Sequence, residues 1–210
     1  MHKKQGLFIV FEGQDGAGKS TQIEALAAFL RDAGRDVVLT REPGGTPIAE
    51  KIRQVLLDRE NAGMSAACEA YLYAAARAEH VDKVIVPALQ RGAVVLCDRF
   101  MLSSVAYQGY GRGLGAEQIR KLNALALKGV KPDCTFYLSL DPQLGLSRIA
   151  ARQADRIEME NLDFHTRVRE GYLSAASNDI SVHILDARQA PEQVTRRMLE
   201  IFSGLYAAKL

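Results

Sequence analysis

The sequence predicts an α/β fold, a mainly parallel sheet with helices on both faces. Three observations point to it. Short apolar runs recur along the chain, helical patterns fill the intervals between them, and a glycine-rich stretch follows the first run directly. Strands alternating with helices make βαβ units, whose crossover helices cover a parallel sheet on both sides. With 210 residues, 48% hydrophobic and 25% charged, there is enough chain for one sizeable core. No linker-like, low-complexity or repeated segment divides it, so residues 1–210 read as one domain.

Five runs read as strands: "LFIVF" (7–11), "DVVLT" (36–40), "AVVLC" (93–97), "TFYLSL" (135–140) and "SVHIL" (181–185). Each is β-branched or aromatic and continuous, the pattern of a strand buried on both faces. Between them, Ile23, Leu26, Ala27 and Leu30 keep helical spacing, and Gly34 stands where that helix would stop. Ile48, Ile52, Val55 and Leu56 form a second stripe behind Thr46-Pro47, a cap and a first-turn proline. Val194, Met198, Ile201 and Leu205 form a last one after Pro191. Sheets of this kind bind ligands beyond the carboxyl ends of their strands, so chemistry is expected just after each run.

A net charge of +2 argues against an extended nucleic-acid or membrane surface. Cys68, Cys97 and Cys134 are odd in number and far apart, which favours structural thiols in a reducing compartment over disulfides or zinc. The apolar run after Lys3 and Lys4 stops at Glu12, too short for a secretory or membrane segment. The cytoplasm is the expected location.

"FEGQDGAGKST" (11–21) carries the chemistry. Gly13, Gly16, Gly18, Lys19 and Ser20 fit G-x-x-x-x-G-K-[ST], after a strand and before a helix. Glycines let backbone N–H groups converge on phosphate oxygens, and the following helix adds its positive end. Lys19 would reach the β and γ phosphates, and Ser20 would ligate Mg²⁺. Asp98, closing "VVLCD", stands where a second metal carboxylate belongs; its plainer use is a helix N-cap. "VKPD" (130–133) has the wrong first residue for the guanine motif and precedes its strand, so guanine specificity is not expected.

Arg41, Arg53, Arg77 and Arg99 fall in or near segments that follow strands, where planar donors could hold a nucleotide acceptor's phosphate. Each alone also reads as a solvated surface arginine, least so Arg99, fixed beside Asp98. Arg148, Arg152 and Arg156, at i, i+4 and i+8, would share one helical face or the loop continuing it. A basic segment closing over transferring phosphates would use them; a solvated helix face is the alternative.

Taken in order, "FEGQDGAGKST", "LTREPGGTPIAEKIR", "YLYAAARAEH", "VVLCDRF", "SSVAYQGYGRGL" and "PDCTFYLSLDP" resemble the bacterial thymidylate kinases along almost the whole chain. The resemblance implies a P-loop nucleoside-monophosphate-kinase-like fold with a five-stranded parallel sheet. It implies transfer of the γ-phosphate of ATP to dTMP, giving dTDP for dTTP synthesis, with Mg²⁺ and as a homodimer, with no nucleic-acid or membrane partner. ATP would lie on Gly13, Gln14, Asp15, Gly16, Ala17, Gly18, Lys19, Ser20 and Thr21, with Arg148 near adenine. Asp15 would approach the deoxyribose 3′-hydroxyl, Glu42 would sit beside the acceptor, and Arg53 and Arg99 would clamp its phosphate. Tyr73, where the family usually has Phe, would stack on thymine; without the resemblance it reads as a core aromatic. Arg77, Ser104 and Gln108 would offer donors and acceptors to the edge of the base, with Ser103 also in the acceptor site. Gly16 with an arginine-rich lid at 148–160 resembles the class that supplies its basic residues from the lid, with Arg152 nearest the γ-phosphate. "DRFMLSS" and "AAAR" depart from the commoner "DRY-x-D-S-S" and "AADR". Two rivals stay open: a kinase for a nucleoside or another nucleotide, and a regulatory P-loop ATPase or GTPase.

Overall fold

The computed structural model describes residues 6–151 and 153–206. Along the chain, β1 (Leu7–Glu12) leads into α1 (Lys19–Asp32), β2 (Val37–Arg41) and α2 (Pro47–Leu57). Next, α3 (Ala66–His80) passes through a π-helical turn, Val81–Ile85, into α4 (Val86–Gln90) and then β3 (Val94–Asp98). A short α5 (Met101–Ser104) runs into a second π turn, Val105–Gly111, ahead of α6 (Ala116–Leu127) and β4 (Cys134–Ser139). The chain closes with α7 (Pro142–Ile149), α8 (Leu162–Ala176), β5 (Val182–Asp186) and α9 (Pro191–Tyr206).

All five strands run parallel in the order β2-β3-β1-β4-β5. β1 is therefore central, and its unbroken apolar run is explained by its two faces. Leu7, Ile9 and Phe11 pack with α1 and α9, while Phe8 and Val10 pack with Val81, Ile85 and Phe100 on the other side. Each buried residue of this type removes apolar area worth about 1.5–3 kcal/mol. The edge strands differ from expectation. Leu39 in β2 is 44% exposed and Ile184 in β5 is 51% exposed, because an edge strand lacks a neighbour and full helical cover.

The α1 stripe packs inward, and Thr46 Oγ1 caps α2 by accepting the Ala49 N–H at 3.1 Å, behind the first-turn Pro47. Two stripes are borne out only in part: Leu56 in α2, and Val194, Met198 and Ile201 in α9, do lie toward the core. In α2 the buried residues are Ala49 and Leu56, while Ile48 and Val55 face outward. In α9, Phe202 and Tyr206 are buried with Val194 and Met198, and Leu205 is exposed. The larger aromatic rings take the core-facing positions because they remove more apolar surface from water.

The strand ends are brought level by register. Phe11, Arg41 and Asp98 are aligned across β1, β2 and β3. Arg99 N donates to Phe11 O at 2.8 Å and Glu42 N to Asp98 O at 2.9 Å, continuing the ladder into the loops. The segments after β1, β2 and β3 thus meet at one edge of the sheet.

Candidate active site

The loop after β1 turns through Gly13, Gly16 and Gly18, whose φ angles are 140°, 77° and 89°. Only glycine adopts such values without cost. Gly16 has a second constraint: a Cβ there would stand 2.3 Å from the Gly145 carbonyl oxygen of α7. No side chain fits at this position. Lys19, the first residue of α1, is buried and donates Nζ to the carbonyls of Gly13 (3.0 Å) and Gln14 (3.2 Å). Its Nζ is 3.9 Å from Asp98 Oδ1. Burial, then Arg99, push the ammonium pKa down, and Asp98, Asp15 and Glu12 oppose them. Gln14 ties the loop to α8 by donating Nε2 to His165 O at 2.8 Å. Ser20 and Thr21 are exposed on the first turn of α1.

Asp98 is not a helix cap; α5 has no side-chain cap and Phe100 precedes it. Its Oδ1 is buried without a hydrogen-bond partner, 3.9 Å from the ammonium of Lys19, the residue before Ser20. A carboxylate oxygen without a hydrogen bond and an exposed serine hydroxyl are hard oxygen donors of the kind that suits a cation shared with phosphate oxygens. Among the described residues no cluster of three His, Cys, Asp or Glu could hold a metal unaided.

A single pocket beside this loop gathers all nine residues assigned to the acceptor: Asp15, Glu42, Arg53, Tyr73, Arg77, Arg99, Ser103, Ser104 and Gln108. Arg99 follows β3 with φ 67°, a left-handed value rare for a side chain of this size, which turns the guanidinium back across the sheet edge. Nη2 bonds Asp15 Oδ1 at 2.8 Å, Nη1 bonds the Tyr172 hydroxyl at 3.1 Å, and the group lies 5.3 Å over the Tyr107 ring. Arg53 donates to Pro43 O at 3.0 Å from the pocket's other side.

Arg77 is 2% exposed, and its fork is shared among protein acceptors: Glu42, Ser104, Asn123 and Phe100 O. Glu42 also meets His80 Nδ1 at 3.0 Å, and His80 Nε2 meets Thr40 at 2.6 Å. Ser103 Oγ donates to Glu12 Oε2 at 2.5 Å. The serines and Arg77 thus present a surface already braced from behind. Tyr73 lines the same wall, its phenol pKa raised by burial and by Glu69.

The basic segment differs from the predicted arrangement. α7 ends at Ile149, so Arg148 and Arg156 do not share a helical face. Arg148 bridges the carbonyls of Gly16 (3.2 Å) and Ala187 (3.1 Å). Arg156 turns inward, is buried, and donates Nε to Leu56 O at 2.7 Å and Nη1 to Glu69 Oε2 at 2.8 Å. A buried arginine finds its counter-ion, and Glu69 supplies it. Arg152 lies outside the described residues. Arg41 pairs with Glu50 on the surface, away from the pocket.

Two pocket residues and one carboxylate behind the pocket carried no clear signal in the sequence. Tyr107 lines the pocket beneath Arg99, and Asp155 enters from the segment before α8, its carboxyl pKa raised chiefly by burial. Glu12, fully buried at the end of β1, accepts the N–H groups of Phe100 (2.9 Å) and Ser103 (3.1 Å) and the Tyr172 hydroxyl (3.1 Å). A lone charge closing an otherwise apolar central strand was its only signal.

The family model for thymidylate kinase matches residues 11–198. The chain belongs to the thymidylate kinase family. It is 48% identical over 196 residues to the thymidylate kinase of Finegoldia magna, covering 93% of this chain and 97% of that one. It is 49% identical over 209 residues to that of Geobacillus thermodenitrificans, covering 97% and 93%. Among solved structures, the thymidylate kinase from Ehrlichia chaffeensis superposes with a TM-score of 0.78 at 34% identity, covering 95% of this chain and 99% of that chain. Membership in the family carries the fold with it: a P-loop nucleoside-monophosphate kinase, with its five parallel strands wrapped by helices.

Proposed function

We propose that the chain transfers the γ-phosphoryl group of ATP to dTMP, forming dTDP and ADP. One observation carries the reading: the Gly13–Thr21 loop, built for a nucleoside triphosphate, borders a pocket where its Asp15 meets Arg99. A switch ATPase has no need of that second site. The resemblance to thymidylate kinases of known sequence and structure supports the identity of the acceptor.

In this reading an oxygen of the dTMP phosphate attacks the γ-phosphorus, and the bond from that phosphorus to the bridging oxygen of ADP breaks. The protein's work is to hold both oxygens in line and offset their charge. Lys19 leaves its loop carbonyls for the phosphates, and Arg99 with Arg53 holds the acceptor phosphate. Asp15, paired with Arg99, lies beside the sugar, and Tyr73 stacks on the base. Ser20 and Asp98 would hold Mg²⁺, which when bound neutralises phosphate charge. Arg148, at the Gly16 carbonyl, marks the adenine side, and residues 148–160 form the lid of one catalytic domain. Arg152 keeps its proposed place nearest the γ-phosphate, whereas Arg156 anchors the lid to Glu69. A homodimer is part of the same reading, and Ile48, Val55 and Tyr71 leave apolar surface exposed on α2 and α3 for it. Free thiols at Cys68, Cys97 and Cys134 support a reducing, cytoplasmic setting.

The test is ADP release from ATP and Mg²⁺ with dTMP, dUMP, dCMP, dGMP, thymidine or no acceptor. Release that requires dTMP supports the reading. Release indifferent to acceptor would sink it, and turnover of thymidine alone would reassign what the arginines hold.

A further inference from the structure

Gln108 presents the two ends of its amide to different surroundings. Nε2 donates to Glu69 Oε1 at 2.9 Å, while Oε1 is buried without a hydrogen-bond partner in a residue that lines the acceptor pocket. A carboxylate only accepts, so the end facing Glu69 has to be the NH₂ end. Chemistry thereby fixes the orientation of the amide.

Glu69 has no freedom to release that constraint. It is fully buried on α3, and Arg112 holds it with Nε at 3.2 Å and Nη2 at 2.9 Å. Arg156 adds Nη1 at 2.8 Å. Burial works against the charge, but Arg112, Gln108 and Arg156 outweigh it and keep the carboxyl pKa below its usual value. Arg112 also pairs with Glu160, so the hub ties the residues before α8 to the pocket wall.

We infer that Glu69 is a positioning residue for base selection: it aims the Gln108 carbonyl oxygen into the pocket as an acceptor for a ring N–H. The inference rests on the pocket being the dTMP site. Thymine and uracil carry a hydrogen on N3, which that oxygen can accept. Cytosine carries a lone pair at N3, so two acceptors would face each other, each desolvated and unsatisfied. Sites built to bond one partner reject the mismatched one steeply for this reason.

The experiment compares kcat/KM for dTMP and dCMP in the wild type, Glu69→Gln and Arg112→Lys. A glutamine at 69 can pair with either end of the Gln108 amide. The dTMP-to-dCMP ratio should fall by about tenfold or more, through a higher KM for dTMP and a gain for dCMP. Arg112→Lys loosens the same hub but keeps the acceptor-only partner, so it should hold the ratio within about twofold. A folded Glu69→Gln with an unchanged ratio overturns the inference. Wild-type protein that turns over neither nucleotide fails at the earlier step and takes the inference with it. Should Glu69→Gln not fold, wild-type protein with ¹³C,¹⁵N-labelled glutamine decides. On adding dTMP the Gln108 side-chain carbonyl resonance should move while its NH₂ protons stay slow to exchange. NH₂ protons that shift with the nucleotide overturn it.

Discussion

Arg99 combines a φ of 67° with bonds to Asp15 and Tyr172, so its reach is set by the backbone as well as the side chain. Lysine keeps the charge and loses the planar fork that grips two partners at once. Arg99→Lys should lower kcat/KM for dTMP by about 10²-fold or more, measured by steady-state ADP release. Two loop glycines separate strain from space. At Gly16 a methyl group meets the Gly145 carbonyl at 2.3 Å as well as the cost of φ 77°. At Gly18 it meets nothing within 4 Å, only the cost of φ 89°. Gly18→Ala should therefore lose about 1–2 kcal/mol and Gly16→Ala clearly more, read by denaturant titration.

At the scale of elements, what the sequence made legible was what local chemistry decides. The β1 run, the cap at Thr46 and the glycine-rich turn each depend on a few neighbouring residues, and each lies where expected. The α1 face followed, but the α2 face did not, because Ile48 and Val55 match a helical stripe as well as Ala49 does and only tertiary packing chooses among them. The turn at Val105–Gly111 was hidden for another reason. The turn is π-helical, a switch that no local pattern announces, whereas the pocket-lining pairs Ser103/Tyr107 and Ser104/Gln108 keep the i,i+4 spacing of an ordinary helix face. Arg156 was misplaced because its partner, Glu69, is far away in sequence. That pair gives a pH prediction. A depressed carboxyl pKa contributes stability above the unfolded value of 4.5 that is lost as pH falls through the folded value. Glu12, raised mainly by burial, acts in the opposite sense, since its protonation on acidification relieves a cost. Urea midpoints from about pH 6 to about pH 3 should fall less steeply in Glu69→Gln than in the wild type. Parallel slopes would remove Glu69 from the acid response.

The whole molecule places a nucleotide loop, an arginine turn and a lid anchor on three different segments; strand register brings the first two together, and the bonds of Arg156 to Leu56 O and Glu69 hold the third. Ligands that bridge these segments should stabilise the native state by mass action. Saturating dTMP at about 100 times its Kd should add about 2.7 kcal/mol, seen as a higher melting temperature, and thymidine should add less for want of the phosphate that Arg99 and Arg53 would hold. Family membership and the pocket beside the phosphate loop converge on one chemical event, and that event can be followed directly. ATP labelled in its γ-phosphate should be incubated with Mg²⁺ and dTMP and the products separated. Label recovered in dTDP, and lost in Arg99→Ala, is the expected result. Label appearing as inorganic phosphate at the same rate with and without dTMP would contradict phosphoryl transfer to this acceptor.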